Sequence, residues 1–368
     1  MKPNTDSYVF LAGDIGGTNS NLALVRYKQG AFTLEYFQRY ATQQENSLLD
    51  PLARFLDSAK KAGFNAPLSA CCVSGAGPVV NGEIQLTNAP WTIRQSEIQN
   101  LLGIPTFLIN DFTAVSYAAV LLNTQDKQAV TVMPHSDGSQ PQPGIGIALV
   151  VGAGTGLGTG FIQKNVDGSY MAFASEGGHS ELPCYDDLSR AFHSWMTDKL
   201  GTAPGVELAV SGQGIGNIFS FICSSAFSKS LIGERYSLAY QALNMELSQT
   251  VSSILAKPEA ERPALIAANK TNDWRCALTM EVFVNFYARK VSGLASIFLP
   301  SGGIYLAGGI SSKNEAFLLE NHRFMRIFEE NYAPHIRSFL KGASVMLVRD
   351  YSISLLGAAN AALQLSRN

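Results

Sequence analysis

The sequence predicts an α/β chain of two lobes, and three observations carry that prediction. The chain has 368 residues, beyond the length at which a single hydrophobic core usually goes on growing. Short apolar runs of strand length are interspersed with longer segments of helical period. One arrangement also occurs twice: strand, glycine turn, strand, turn, strand, first at residues 8–36 and again at 145–174. This weak internal duplication puts one glycine-tipped hairpin in each half.

The first hairpin is LAGDIGGTNSNLAL, Leu11 to Leu24. Tyr8 to Ala12 is an apolar run suited to a strand buried on both faces. Gly13, Asp14, Gly16, Gly17 and Thr18 make a short polar turn, where glycine permits unusual backbone angles and close approach of another group. Leu22 and Leu24, then Phe32, Leu34 and Tyr36, alternate with smaller or polar residues around Lys28-Gln29-Gly30, as two further strands would. A dinucleotide-binding loop must open a helix and a P-loop must end in Gly-Lys-Ser/Thr; neither context is present. Two readings remain. One is an ordinary tight hairpin. In the other, backbone N–H groups with Thr18 and Asn19 face an anion, and Asp14, which would repel a bare phosphate, works through a hydrated divalent cation.

Along the chain, 46–62 has helical spacing and Ser69 to Ser74 reads as a buried strand. In PTFLINDFTAVSYAAVLL, Thr106 to Ile109 is a strand, Asn110 and Asp111 lie at its end, and a helix follows. A carboxylate at such a handover is held by rigid elements on both sides; the alternative is that Asp111 caps the helix. The second hairpin follows the polar loop 134–144: a strand Ile145 to Val151, a turn GAGTGLGTG from Gly152 to Gly160, then strands Phe161 to Lys164 and Tyr170 to Ala174. In ASEGGHSELP, Glu176 and His179 flank a glycine pair that argues for a loop. A polar-ligand site, a core histidine and a metal site are the three readings there. Glu207 stands among apolar neighbours just before Ser211-Gly212. Residues 229–262 read as mostly helical, and Asp273 to Leu299 as a long central helix. Ile304 to Ala307 is a strand ending in Gly308-Gly309, either a plain strand-to-helix turn or a place where a flat base and its ribose can lie against backbone, with a helix starting at Ser311 to Asn314. Gly357 and Ala358 thin one side of the last helix, Leu355 to Leu365, for a close crossing with the Asp111 helix.

Taken in order, these motifs resemble those of the bacterial-type glucokinases, in the hexokinase branch of the actin-like ATPase superfamily. The resemblance covers nearly the whole chain. GDIGGTNSNLAL is similar to the first phosphate motif, INDFTAVSYA to the first connecting motif and GAGTGLGTG to the second phosphate motif. YLAGGI is similar to the adenosine motif, LLGAANAAL to the second connecting helix and EGGH to the sugar motif. It implies a two-lobed actin-like ATPase (ribonuclease H-like) fold, mixed sheets flanked by helices, with an interlobe cleft. Residues 1–121 with 350–368 would form the small lobe and 122–349 the large one. It implies that Asn110, Asp111, Glu176, His179 and Glu207 bind sugar hydroxyls, with Asp111 as catalytic base. Gly13, Asp14, Ile15, Gly16, Gly17, Thr18 and Asn19, with Gly154, Thr155 and Gly156, would hold the ATP phosphates. Gly308 and Gly309 would take the adenosine, and Asp14 would orient Mg²⁺ through water. The implied reaction is γ-phosphoryl transfer from ATP to the 6-hydroxyl of glucose, feeding glycolysis, with lobe closure excluding water.

Three alternatives stand beside it. One is a kinase for another hexose, such as mannose or N-acetylglucosamine. Another is a non-catalytic sugar sensor on the same fold, which Asp111 and the phosphate turns argue against. The third is a chaperone or filament ATPase, for whose extra domain there is no room. Related sugar kinases and repressors carry closely spaced zinc-binding cysteines after the histidine; here Cys184 stands alone, so zinc is not expected, and no helix-turn-helix precedes Leu11. Composition narrows the field further. With 27 basic against 29 acidic residues, there is no electrostatic footprint for nucleic acid or an anionic membrane surface. The opening MKPNTDS lacks a signal peptide's apolar segment, no stretch is long and apolar enough to span a bilayer, and the five cysteines are scattered. A cytoplasmic chain with free thiols is expected. Glucose and ATP are the expected partners, and a second copy of the chain is left open.

Overall fold

The computed structural model describes residues 7–367 apart from 87–88, 90, 166, 174, 237–249 and 350–352. The chain divides into two units, one made of Met1–Ala129, Gly160–Ala174 and Asp350–Asn368, the other of Val130–Thr159 and Ser175–Arg349.

In the first unit the elements run β1 (Ser7–Ile15), β2 (Asn19–Lys28), β3 (Ala31–Ala41), α1 (Leu49–Lys61), β4 (Ala70–Gly75), β5 (Val79–Val80), β6 (Glu83–Gln85), β7 (Thr92–Arg94), α2 (Gln95–Leu102), β8 (Thr106–Asn110) and α3 (Asp111–Ala119). The main sheet has the order β3-β2-β1-β4-β8. β1 pairs antiparallel with β2 and parallel with β4, which pairs parallel with β8. All of β4 is buried, as an inner parallel strand must be. α1 turns Leu52, Phe55 and Ala59 into a core with Leu11, Leu22, Leu24 and Val73, which accounts for the helical spacing of that segment.

The closing helix, Ser354–Leu365, crosses α3 at the close range that Gly357 predicts. A Cβ at Gly357 would lie 1.9 Å from the Ala114 carbonyl oxygen and 3.0 Å from Ala118 Cβ. The buried Asn360 fixes the crossing, donating from Nδ2 to the Tyr117 carbonyl at 2.9 Å.

The second part of the chain continues β9 (Val130–Val132), β10 (Ile147–Ala153), β11 (Leu157–Lys164), β12 (Tyr170–Phe173), α4 (Asp187–Leu200), α5 (Gly212–Ile222), α6 (Thr250–Leu255), α7 (Arg262–Ala268), α8 (Trp274–Phe298), β13 (Ile304–Ala307), α9 (Gly309–Lys313), α10 (Glu315–Leu319), α11 (Arg323–Phe328), α12 (Pro334–Gly342) and β14 (Val345–Val348). Its sheet has the order β12-β11-β10-β13-β14-β9, and β10, β13 and β14 run parallel. The chain passes from the second unit to the first within β11, at Gly160. The central helix is α8. Asp273 caps it, accepting from Arg275 N–H at 2.8 Å and Cys276 N–H at 3.2 Å. It is buried almost all round over its first half, which marks a helix inside a core rather than on its surface.

Three expectations shift. β10 runs on to Ala153 and β11 starts at Leu157, so the second glycine turn shrinks to Gly154-Thr155-Gly156. The helix after β13 begins at Gly309, not near Ser311. Within 229–262 the described residues hold a short 3₁₀ turn, Lys229–Leu231, and α6; the remainder of that expected helical stretch, 237–249, lies outside the described residues.

The polar loop after β9 is anchored by a buried polar cluster. His135 is fully buried; its Nδ1 lies 2.8 Å from Glu329 Oε1 and its Nε2 2.8 Å from the Ala343 carbonyl. Burial raises the Glu329 pKa, but hydrogen bonds from the Ser136 hydroxyl and N–H and from His135 outweigh it, so the net shift is downward. A lowered carboxylate pKa stabilises the fold above its unfolded value, and that contribution is lost as pH falls through the folded value. His135→Ala removes a buried hydrogen-bond partner while Glu329 keeps Ser136, and should cost about 1–3 kcal/mol, read as a lowered denaturation midpoint at neutral pH.

Candidate active site

The first unit presents two groups of site residues. Gly13, Asp14 and Ile15 are the last residues of β1, and Asn19 the first of β2, so the turn proper is Gly16-Gly17-Thr18. It is closed by Gly16 N–H donating to the Asn19 carbonyl at 2.9 Å. Thr42, fully buried, holds it from below. Its N–H donates to the Thr18 carbonyl at 3.0 Å and its hydroxyl to the Gly16 carbonyl at 2.8 Å. With the Gly16 and Thr18 carbonyls taken up by Thr42, the Gly17 and Thr18 N–H groups stand at the tip with the exposed side chains of Thr18 and Asn19, donors suited to an anion. The half-buried Asp14 carboxylate accepts from Ser354 Oγ at 2.9 Å and more weakly from Ser74 Oγ at 3.4 Å. Ser354 opens the closing helix, 340 positions away in sequence.

The second group is Asn110 and Asp111. Asn110, not Asp111, caps α3: its Oδ1 accepts from Phe112 N–H at 2.8 Å and Thr113 N–H at 3.3 Å, and its Nδ2 donates to the Gly77 carbonyl at 3.2 Å. Asp111 is the first helical residue and half-buried, its Oδ1 accepting from Phe112 N–H at 2.8 Å. The capping reading of this segment therefore belongs to its neighbour.

The second unit brings the remaining sugar-motif residues to the second hairpin. Gly154 N–H donates to the Gly156 carbonyl at 2.9 Å, closing the turn, and Gly212 N–H at the start of α5 donates to the Gly154 carbonyl at 2.8 Å. Glu176 precedes a 3₁₀ turn, Gly177–His179. The His179 ring lies 3.9 Å from Glu176 Oε2, and the two side chains are 70% and 61% exposed. His179 is therefore no core histidine. The glycines of this turn are required by contact: a Cβ at Gly178 would meet the Leu157 carbonyl at 2.3 Å, and one at Gly177 would meet Thr159 Oγ1 at 2.3 Å. Glu207 sits in a second 3₁₀ turn, Val206–Leu208, joined to the first by Val206 N–H donating to the Ser180 carbonyl at 2.8 Å. Its Oε2 accepts from Leu157 N–H at 2.7 Å. Among the described residues, no group of three His, Cys, Asp or Glu is disposed to hold a metal.

Gly308 follows β13 with φ of 98°, and a Cβ there would lie 2.3 Å from the Ala153 carbonyl, so only glycine fits beside β10. Gly309 then opens α9. Tyr287 of α8 ties these pieces together, its hydroxyl 3.1 Å from both the Val151 carbonyl and Ser311 Oγ. Sequence reading missed Thr42, Ser74, Ser354 and Lys290. Lys290 donates to Ser180 Oγ at 2.6 Å beside the EGGH turn, and burial lowers its pKa. Isolated serines, a threonine and one lysine carry no spacing signal; only tertiary contact picks them out.

Unlike Gly308, Gly16 and Gly154 have ordinary φ, so their expected freedom of backbone angle is not what they supply. A Cβ would come no nearer than 3.5 Å to a neighbour at Gly16 and 4.0 Å at Gly154. Open space in front of the backbone is what they contribute. Gly154→Val should therefore keep its melting temperature while nucleotide affinity falls about ten- to a hundredfold, the cost of forcing a side chain into filled space. Titration with a nucleotide analogue and with glucose, separately, checks this; equal loss of both ligands would mean misfolding instead.

Two sheets of this order, glycine hairpins carried on them and a carboxylate at the β8–α3 handover are the arrangement that the resemblance to sugar kinases of the actin-like class implies. The family profile for glucokinase matches residues 11–365. The glucokinase of Nostoc punctiforme is 32% identical over 362 residues, covering 97% of this chain and 99% of the relative. That of Synechocystis sp. is 30% identical over 367 residues, covering 96% and 98%. Among solved structures, glucokinase from an Antarctic psychrotroph superposes with a TM-score of 0.74 at 24% identity, covering 96% of this chain and 98% of that one. A Balamuthia mandrillaris glucokinase in complex with glucose gives 0.67 at 22%, covering 97% and 94%. A ROK family glucokinase from Streptomyces griseus, in complex with glucose and AMPPNP, gives 0.57 at 18%, covering 97% and 99%. The chain belongs to the glucokinase family, and is an ATP-dependent hexose kinase that phosphorylates glucose. No helix among the described residues is long and apolar enough to cross a membrane.

Proposed function

We propose that this chain transfers the γ-phosphoryl group of ATP to the 6-hydroxyl of glucose, with Asp111 as the general base. The observation that carries the proposal is the placement of Asp111: a half-buried carboxylate at the first residue of α3, fixed where β8 hands over to the helix and next to the capping Asn110. Asp111 accepts the hydroxyl proton as the oxygen–phosphorus bond forms. Asn110, Glu176, His179 and Glu207 bind the sugar hydroxyls and orient the acceptor. Gly16 to Asn19 and Gly154 to Gly156, with the Thr155 hydroxyl, line the phosphates. The Gly16 and Gly154 N–H groups close their own turns, so the amides of Gly17 and Thr18 and of Thr155 and Gly156 are the donors toward the charge developing in transfer, where positioning and electrostatics supply nearly all the catalysis. Gly308 and Gly309 let the adenosine lie against backbone.

The donor set fits Mg²⁺. A single carboxylate, Asp14, held by two serine hydroxyls rather than by a cage of protein ligands, suits an octahedral cation that keeps most of its waters. Asp14 would hold the cation through water, and the cation would supply neutralisation of the phosphate charge. Activity should accordingly need Mg²⁺ and no transition metal. A coupled assay for ADP release, with and without Mg²⁺ after chelation of zinc, tests both points. Stoichiometric zinc whose removal abolishes turnover would overturn the assignment of His179 to sugar, and absence of glucose-dependent ADP release would overturn the reaction.

A further inference from the structure

Glu207 has a second engagement that binding a sugar does not require. Its Oε2 accepts from Leu157 N–H at 2.7 Å, at the first residue of β11 immediately after the glycine hairpin. A hydrogen bond to an ionised acceptor is among the stronger ones available. The carboxylate lies so close that a Cβ at Gly156 would stand 2.6 Å from Oε2. The turn carrying Glu207 is itself braced: Ser211 Oγ donates to the Glu207 carbonyl at 2.7 Å and accepts from Gly214 N–H at 2.9 Å, capping α5. The same segment grips the hairpin at a second point, through Gly212 N–H on the Gly154 carbonyl at 2.8 Å. On its other side the Leu157 carbonyl backs onto Gly178 of the EGGH turn, where no side chain fits.

From this geometry we infer that Glu207 is a positioning residue for the second phosphate hairpin as well as a sugar ligand. One carboxylate oxygen sets Leu157 and the turn before it, and the other meets a sugar hydroxyl on the side of the ring away from the reacting one. This rests on the sugar role proposed above. The two substrates then read the same carboxylate: sugar that fixes Glu207 also fixes the hairpin that receives phosphate. By linkage, each ligand tightens the other by the same factor, about fivefold or more for a coupling of ordinary size.

Binding of a non-hydrolysable ATP analogue and of glucose, each measured alone and in the presence of the other, tests the inference. Glu207→Ala should weaken the analogue about ten- to a hundredfold even without sugar, as expected for loss of a charged hydrogen bond, and bring the coupling factor to one. Glu207→Gln keeps an oxygen for Leu157, so analogue affinity should recover while glucose affinity stays low. Glu176→Ala, which lacks the hairpin contact, should weaken glucose alone. Gly156→Ala, which displaces the carboxylate from the other side, should weaken glucose measured without nucleotide. Wild-type analogue affinity in Glu207→Ala, or unchanged glucose affinity in Gly156→Ala, overturns the coupling. Unchanged glucose affinity in both Glu207 variants instead overturns the sugar role, and is told apart because the hairpin effect on the analogue would persist.

Discussion

Replacing Asp111 with Ala should lower kcat by about 10²–10⁴, the range for a lost general base, while the nucleotide analogue still binds. The expectation is sharp because the fold does not need this side chain as a cap. Asn110 still accepts from the Phe112 and Thr113 N–H groups at the start of α3 when the Asp111 bond to Phe112 N–H is removed, so Asp111→Ala should keep a capped α3. Asn110→Ala is the complementary control: loss of the cap should cost ~1 kcal/mol of stability, with a rise in KM. Steady-state kinetics beside thermal unfolding separates the two. Near-normal turnover of Asp111→Ala would mean that proton removal lies elsewhere.

The second large effect concerns which sugar is accepted. Polar groups already fixed by the protein discriminate well, because an analogue that fails to meet them leaves them desolvated and unpaired. Asn110 has its Oδ1 and one Nδ2 hydrogen committed to backbone, and Glu207 has one oxygen committed to Leu157. Neither can turn to follow a displaced hydroxyl. In the proposed reading, which the family resemblance implies, Asn110 and Asp111 would serve the hydroxyls at positions 3, 4 and 6, and Glu176, His179 and Glu207 those at 1 to 3. Galactose, whose 4-hydroxyl points away from the first group, should fall below glucose in kcat/KM by on the order of 10⁴. N-acetylglucosamine should fail comparably, since its acetamide takes the space and donor that Glu176 and Glu207 expect. Mannose, differing only at position 2, should be the mildest exclusion. Measured kcat/KM for the four sugars checks the assignment; galactose or N-acetylglucosamine matching glucose would show the contacts to be misassigned while leaving the kinase reading intact.

Much of this site was legible because its chemistry uses residues with strong local signatures. Glycine pairs after buried strands, and a carboxylate where a strand becomes a helix, stand out in any window of the sequence. So did Gly357, which with Ala358 thins one side of the last helix as a close crossing requires; the Ala114 carbonyl against it is seen only in the structure. What stayed hidden falls into two kinds. Supports such as Thr42 under the first hairpin and Ser354 on Asp14 act across long separations and are chemically ordinary. The reason for each glycine was also unreadable. Gly154 and Gly308 look alike in sequence, yet one leaves space open and the other has a φ of 98° and no room for a side chain. Helix boundaries near 309 and strand ends near 153 and 157 shifted because glycine-rich sequence gives no period to count.

The close crossing of the closing helix with α3 also bears on synthesis. The strand and helix that carry Asp111 are made early, yet their packing surface is supplied by residues 354–365, and Asn360 meets Tyr117 across 243 positions of chain. Asp14 waits for Ser354 across 340. A ribosome adding about 5–20 residues per second therefore leaves the face of α3 that receives Gly357 uncovered for on the order of ten to fifty seconds. During that interval the second unit, whose core is contiguous apart from the excursion at Gly160–Ala174, has most of its chain available to fold. The first unit would be completed last, and a nascent chain stopped before residue 354 should hold its N-terminal sheet in a protease-sensitive state until the closing helix is released.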